Sequence, residues 1–86
     1  MAILGTAPLG ISLPNDVFLS HAEWWNENSR FVLVRFRRRG EMMDLGLRFD
    51  LDKLTFLDDT GDPEADQVLQ STSSRISEAV FDTKAA

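Results

Sequence analysis

The stretch FVLVRFRRRG (residues 31–40) followed by EMMDLGLRFD (residues 41–50) carries the strongest structural signal in the chain. The first run is rich in aromatic and β-branched side chains, which favour strands, and in the second run apolar residues alternate from Met43 to Phe49. Between them stands Arg39-Gly40, and glycine supplies the positive φ that tight hairpin turns require. The stretch therefore predicts a β-hairpin with a two-residue turn at Arg39-Gly40.

A two-residue turn fixes which residues face each other across the hairpin. The predicted partners are Arg38 with Glu41, Phe36 with Met43, Arg35 with Asp44, Val34 with Leu45, and Val32 with Leu47. One face is then wholly apolar and consists of Val32, Val34, Phe36, Met43, Leu45, Leu47 and Phe49. A slip of one residue would turn this set toward water, so we expect burial to fix the register.

Helices are predicted on both sides of the hairpin. Ser20 precedes Glu23 by three residues, which is the spacing of a capping box, and this predicts a short helix from His21 to about Glu27. Near the C-terminus, Asp62 stands as an N-cap before Pro63, and apolar residues then recur at spacings of three and four. This pattern predicts one amphipathic helix that runs to about Lys84.

The predicted fold is a single α+β domain. Leu54–Leu57 supplies a third strand, so the sheet is an antiparallel meander of three strands or more, and the long C-terminal helix covers its apolar face. Gly5, Pro8 and Gly10 interrupt the first residues, which predicts a loose N-terminal arm over residues 1–10. We expect the globular part to span residues 11–84 within one domain over residues 1–86.

Composition excludes several classes of function. The chain has 86 residues, 9 basic and 14 acidic side chains, a net charge of −5 and no cysteine, so disulfides, thiolate nucleophiles and cysteine-based metal sites are absent. Small secreted domains usually depend on disulfides, so we expect a cytoplasmic protein without a signal peptide. No apolar run approaches the roughly 20 residues of a membrane-spanning helix.

The sequence offers little for catalysis. His21 is the only histidine, and on the predicted helix its side chain would face neither Ser20 nor Glu23. The acidic stretch of residues 50–66 fails the spacing of an EF-hand calcium loop, because Gly61 at the sixth position puts Phe56 at the first. We therefore expect no enzyme, no cofactor and no metal site, while a weak divalent site in this loop remains an alternative.

Nucleic-acid binding is also considered, because arginines crowd the predicted hairpin tip. Arginine neutralises phosphates, and aromatic rings can stack on bases. However, the chain as a whole is acidic, and a nucleic-acid-binding domain is expected to be basic. We therefore expect no nucleic acid, membrane or small molecule as a partner.

Trp24-Trp25 is the most suggestive dipeptide. Adjacent residues on a helix point about 100° apart, so one ring is expected to pack in the core and the other to reach the surface, with Trp25 the better core candidate. The alternative is that the N-terminal arm encloses both rings. The candidate partner-binding residues are Trp24, Trp25, Phe31, Leu33, Arg35 and Arg37.

These features predict a small non-enzymatic domain that binds another protein or a second copy of itself. An alternative belongs to a different class: an acidic inhibitor, of the type encoded by phages or mobile elements, that occupies a nucleic-acid-binding groove of a host protein. Its acidic patch would consist of Asp58, Asp59, Asp62, Glu64 and Asp66.

Overall fold

The computed structural model describes residues 3–26, 29–42 and 45–85. In these ranges a five-stranded antiparallel sheet, with its strands in chain order, is followed by two helices. The strands are β1 (Gly5–Leu13), β2 (Val17–Trp24), β3 (Phe31–Arg38), β4 (Leu45–Asp50) and β5 (Thr55–Phe56). The helices are α1 (Pro63–Gln70) and α2 (Ser73–Ala85). The predicted α+β class, the antiparallel meander and a C-terminal helix are thus confirmed.

The predicted N-terminal helix is wrong, because residues 17–24 form β2. Backbone groups of β2 pair with β1 on one side and β3 on the other. A helix of two turns is marginal in water, so pairing on both sides outweighs the local capping signal. The Ser20 hydroxyl contacts the His21 ring instead of capping a helix. Glu27, the predicted end of the helix, lies outside the described residues.

The expectation of a loose arm is corrected for residues 5–10, which belong to β1. Gly5 pairs with Trp24 and Ala7 with Ala22, and the register shifts between Pro8 and Ile11. Gly10 has a positive φ of 59° in this interval, a conformation that glycine adopts without steric penalty. Pro8 and Gly10 therefore interrupt an edge strand that is nevertheless paired.

The hairpin forms, but its register differs from the prediction by two residues. Observed partners are Phe36 with Leu45, Arg35 with Gly46, Val34 with Leu47, and Val32 with Phe49. A shift of two leaves each side chain on its predicted face, because strand side chains alternate with period two. The connection spans residues 39–44 rather than Arg39-Gly40 alone, and Met43 and Asp44 lie outside the described residues.

The predicted long helix is divided in two. Asp62 caps α1 as expected, since its Oδ1 accepts a hydrogen bond from the Glu64 amide at 3.1 Å. At the break, the Ser71 and Thr72 hydroxyls donate to the carbonyls of Val68 and Leu69, both at 2.6 Å. Such local bonds compete with helical backbone bonds, which explains why the helix does not continue.

Both helices contribute buried residues to the core on one side of the sheet. The core side chains are Ala7, Ile11, Val17, Leu19, Ala22, Trp24, Val32, Val34, Phe36, Leu47, Phe49, Leu51, Ala65, Leu69, Ile76 and Val80. We call the opposite side of the sheet the outer face, and no helix of the described chain covers it. Among the described residues, neither helix has the length and hydropathy to cross a bilayer.

Candidate functional site

The outer face presents aromatic side chains that the fold leaves exposed. Phe31 and Leu33 alternate along β3 with the buried Val32 and Val34, so both project to this face. Phe31 is 39% exposed and Phe18 of β2 is 42% exposed. These apolar side chains therefore lie on the outer face of the sheet, away from the hydrophobic core.

Arginines lie between these aromatic residues on the outer face. Arg35 and Arg37 follow Leu33 along β3 at the same two-residue interval, and Phe18 pairs with Arg37 across β2 and β3. The Arg30 guanidinium, next to β3, lies 4.7 Å from the centre of the Phe31 ring. Of the predicted partner-binding residues, β3 thus places four on one face: Phe31, Leu33, Arg35 and Arg37.

The two tryptophans have the opposite exposure from the prediction. Trp24 is 5% exposed and belongs to the core, whereas Trp25 is 37% exposed just beyond the end of β2. Successive side chains of a strand point to opposite faces, so Trp24 points toward the helix layer, where the Lys84 ammonium lies 5.2 Å from its ring centre. Trp24 is consequently a core residue, and Trp25 remains a surface candidate.

Most arginines at the predicted hairpin tip and along the neighbouring strands are paired with carboxylates. Pairs between described residues are Arg30–Asp50 at 3.6 Å, Arg35–Glu23 at 2.7 Å, Arg38–Glu41 at 2.8 Å, Arg39–Asp16 at 3.5 Å and Arg48–Asp58 at 2.7 Å. Arg38 and Glu41 are thus in contact as predicted, although across a longer turn. These pairs offset the positive charge that a phosphate backbone would require.

A polar network crosses the outer face between β2 and β3. The Ser20 hydroxyl lies 2.6 Å from His21 Nδ1, and His21 Nε2 lies 3.0 Å from Glu23 Oε1. Arg35 Nε donates to the same Glu23 oxygen at 2.7 Å. The prediction that His21 would face neither Ser20 nor Glu23 is wrong, because it assumed a helix and the chain is a strand with an irregularity between Leu19 and His21.

Glu23 is the buried centre of this network. It is 4% exposed, and its buried Oε2 has no hydrogen-bond partner among the described residues. Burial alone would raise the pKa of Glu23, but the hydrogen bonds from Arg35 and His21 and the positive charge of Arg35 hold that pKa below its usual value. The carboxylate is therefore ionised at neutral pH and anchors Arg35 on the outer face.

A serine, a histidine and a carboxylate in hydrogen-bond contact also resemble a hydrolase triad in composition. Hydrolysis further needs a substrate cleft and donors for an oxyanion. The two clefts described below are not lined by Ser20, His21 or Glu23. The network holds His21 and Arg35 in hydrogen-bond contact with Glu23.

The predicted acidic patch consists of carboxylates with different local roles. Asp58 binds Arg48 through both carboxylate oxygens, and these hydrogen bonds lower its pKa to about 2. Asp66 accepts hydrogen bonds from the Thr60 amide and hydroxyl at 2.8 and 2.7 Å. Asp59 accepts a bond from the Gly61 amide at 3.2 Å. Asp62 caps α1, whose first turn also contains the exposed Glu64.

Three of these carboxylates line a cleft between the β4–β5 edge and α1. Its volume is about 340 Å³, and its walls are Leu47, Phe56, Asp58, Asp59, Asp66, Gln67, Leu69 and Gln70. A second cleft of about 280 Å³ lies between β1 and α2 and is lined by Leu9, Ile11, Arg75, Glu78, Ala79 and Asp82. No sequence pattern predicted the first cleft, although the alternating apolar residues of β4 include Leu47, which lines it.

Charge is unevenly distributed along the chain. Residues 1–50 carry six acidic and six basic side chains, whereas residues 51–86 carry eight acidic and three basic ones. The whole negative surplus thus belongs to the segment with β5, the following loop and the helices. Within the described residues, no three histidine, aspartate or glutamate side chains are placed to hold a metal ion.

Comparison with protein-family models, with curated proteins and with solved structures finds no match to this chain.

Proposed function

We propose that this chain is a cytoplasmic, non-enzymatic protein-binding module whose outer face contacts another protein or a second copy of the chain. The observation that carries the proposal is the exposure of Phe18 and Phe31 on a sheet face that no described helix covers. Large exposed apolar groups cost solvation free energy, and their clustering is typical of interaction surfaces. Aromatic and arginine side chains are also the residue types most enriched at binding hot spots.

The ion pairs on the outer face support the same proposal. Glu23 fixes Arg35, and Asp58 fixes Arg48, so less side-chain entropy is lost when a partner covers these arginines. Their neutralised charge also favours a protein partner over nucleic acid. The absence of cysteine supports a cytoplasmic location.

The test compares two substitutions at opposite sides of the molecule. Phe31→Ser changes the outer face, and Phe81→Ser is the matched control, since Phe81 is 54% exposed on α2. If the partner is a second copy, light scattering over a range of concentrations should show an association that Phe31→Ser weakens and Phe81→Ser leaves unchanged.

If the wild-type chain is monomeric at every concentration, a photo-crosslinking residue at position 31 or 81 separates the remaining outcomes in the native host. A defined partner protein crosslinked only from position 31 supports the proposal. Equal crosslinking from both positions, or none from position 31, contradicts it.

The acidic inhibitor is a second candidate, favoured by the charge surplus of residues 51–86. Such a protein would present carboxylates to a basic groove, and complementary charge would speed and orient the encounter. Its complex with a nucleic-acid-binding protein should weaken steeply as salt increases. A complex that salt leaves unchanged would contradict this candidate.

A further inference from the structure

We propose that the cleft between the β4–β5 edge and α1 receives an arginine side chain of a partner protein. The inference rests on the second candidate function, in which a basic partner faces the acidic segment.

The shape of the cleft fits a single long side chain. Its volume of about 340 Å³ lies near the lower end of the roughly 300–1,000 Å³ range of ligand sites. Leu47, Phe56 and Leu69 give it an apolar wall, and Leu47 and Leu69 are almost completely buried. Such a wall can cover the aliphatic stem of an arginine, while the charged end stays near the solvent.

The charge of the cleft fits a cation. Asp58 is neutralised by Arg48, but Asp59 and Asp66 form no ion pair with the described residues. Each accepts its hydrogen bonds from the loop through Oδ1. In the described part of the chain, Oδ2 of neither carboxylate accepts a hydrogen bond, so both retain acceptor capacity for an incoming guanidinium.

The two carboxylates are also held in place before a partner binds. The backbone amide and the hydroxyl of Thr60 both donate to Asp66, and the amide of Gly61 donates to Asp59. An acceptor that is already oriented loses less entropy on binding.

Arginine fits this site better than lysine. Its planar guanidinium donates hydrogen bonds in several directions and can stack on an aromatic ring, here that of Phe56. A lysine ammonium is more strongly hydrated and cannot stack in this way. The cleft therefore favours arginine by both its polar and its aromatic wall.

The test is an NMR titration of the isotope-labelled full chain with N-acetyl-arginine amide. Its matched control is N-acetyl-citrulline amide, which has nearly the same shape without the charge. We expect saturable shifts at Phe56, Gln67 and Leu69 with the arginine compound, weaker ones with N-acetyl-lysine amide, and no saturable shift with the citrulline compound. No saturable arginine shifts in the cleft, or equal shifts from arginine and citrulline, would overturn the proposal.

Variants separate a specific site from general attraction. Asp66→Asn keeps an oxygen that can accept from Thr60 but loses the charge, and should weaken arginine binding about tenfold. Asp52→Asn removes the same charge from an exposed turn outside the cleft and should weaken it less than about twofold. Gln67→Trp fills the cleft from an exposed position and should abolish binding. Equal effects of Asp66→Asn and Asp52→Asn would overturn the proposal.

The titration with capped amino acids needs no natural partner, so its result can be compared with the result of a separate binding experiment on a nucleic-acid-binding protein. If the capped arginine binds but no salt-sensitive complex with a nucleic-acid-binding protein forms, the cleft is an arginine site and the inhibitor candidate fails. If such a complex forms and Gln67→Trp leaves it unchanged, the inhibitor candidate survives and the arginine pocket is wrong.

Discussion

The missing side chain of Gly5 lets the Trp24 ring pack directly against β1. A Cβ at position 5 would lie 2.5 Å from Cζ2 and 2.7 Å from Cε2 of that ring. Real contacts between carbon atoms are about 3.5 Å or longer, so the ring or the strand would have to move. Glycine at this position is therefore a packing requirement of the core.

Gly5→Ala should destabilise the fold by about 1–3 kcal/mol, because it overpacks a buried contact. Gly46→Ala is the control: its Cβ would lie 3.1 Å from the ends of Arg35 and Leu33, which are flexible side chains. That change should stay within about 0.5 kcal/mol of wild type in urea unfolding. Equal losses for the two variants would contradict the packing argument.

Glu23→Ala should lower the free energy of unfolding by about 2 kcal/mol. Breaking a fully buried ion pair costs roughly 3–5 kcal/mol, but Arg35 is one-third exposed and can regain water. Glu23→Gln keeps an acceptor oxygen for Arg35 and should cost less. If alanine and glutamine destabilise the protein equally, the hydrogen bonds to Oε1 contribute nothing.

Asp58 should make stability depend on pH in the acid range. Its pKa falls from 3.8 to about 2 in the folded protein, so the Arg48 contact contributes fully above about pH 4 and is lost as the pH falls through 2. In urea unfolding between pH 5 and 2, the advantage of wild type over Asp58→Asn should shrink as acid is added. Arg48→Met should remove the same part of the pH dependence, and an unchanged profile in both variants would contradict this assignment.

In the hairpin, the alternating pattern predicted which face of the sheet each side chain takes, but it did not predict the pairing register. Val32, Val34 and Phe36 lie on the buried face as predicted, yet the hairpin register is displaced by two residues. Burial distinguishes odd from even shifts, because only an odd shift turns a side chain over. Two registers that differ by two residues bury the same side chains, so the length of the turn decides between them. Arg39-Gly40 has the sequence of a two-residue turn, but the connection is longer.

Local signals also misled where distant pairing decides the structure. Ser20 and Glu23 have the spacing of a helix cap, but β1 and β3 supply backbone partners that no local pattern encodes. The same error concealed the network at His21, whose acceptor Glu23 also binds Arg35, twelve residues away. By contrast, Asp62 and Pro63 were predicted correctly, since a helix cap involves only neighbouring residues.

The hydrogen bond from the Glu64 amide to Asp62 should stabilise the start of α1. Asp62→Ala should cost about 1 kcal/mol, because the Glu64 amide loses its acceptor at the start of α1. Asp62→Asn should retain most of that stability. Thermal unfolding measures both, with Asp52→Ala as an exposed control. A loss at position 62 no larger than that at position 52 would show that the cap is not needed.

The order of the strands in the sheet determines how firmly each candidate site is supported by backbone pairing. The radius of gyration of 12.2 Å is that expected for a compact chain of this length, about 12 Å. Strands β2 and β3 lie inside the sheet, and β3 carries most of the proposed outer contact surface. The acidic cleft lies at the opposite edge, beside the two-residue strand β5. The residues proposed to bind a partner on the outer face thus lie mainly on central strands, whereas the cleft lies beside the shortest strand.

Hydrogen exchange should follow this arrangement. Amides of Ala22 and Val34 lie in strands paired on both sides, so they should exchange only through global unfolding. Amides of Thr55 and Phe56 belong to a short edge strand and should exchange through local opening at a lower free energy. A charged ligand that ties the wall of the cleft together should slow exchange at β5 without changing it at Val34. Equal protection of β5 and β3 in the protein alone would contradict the local opening, because the cleft would then be as rigid as the centre of the sheet.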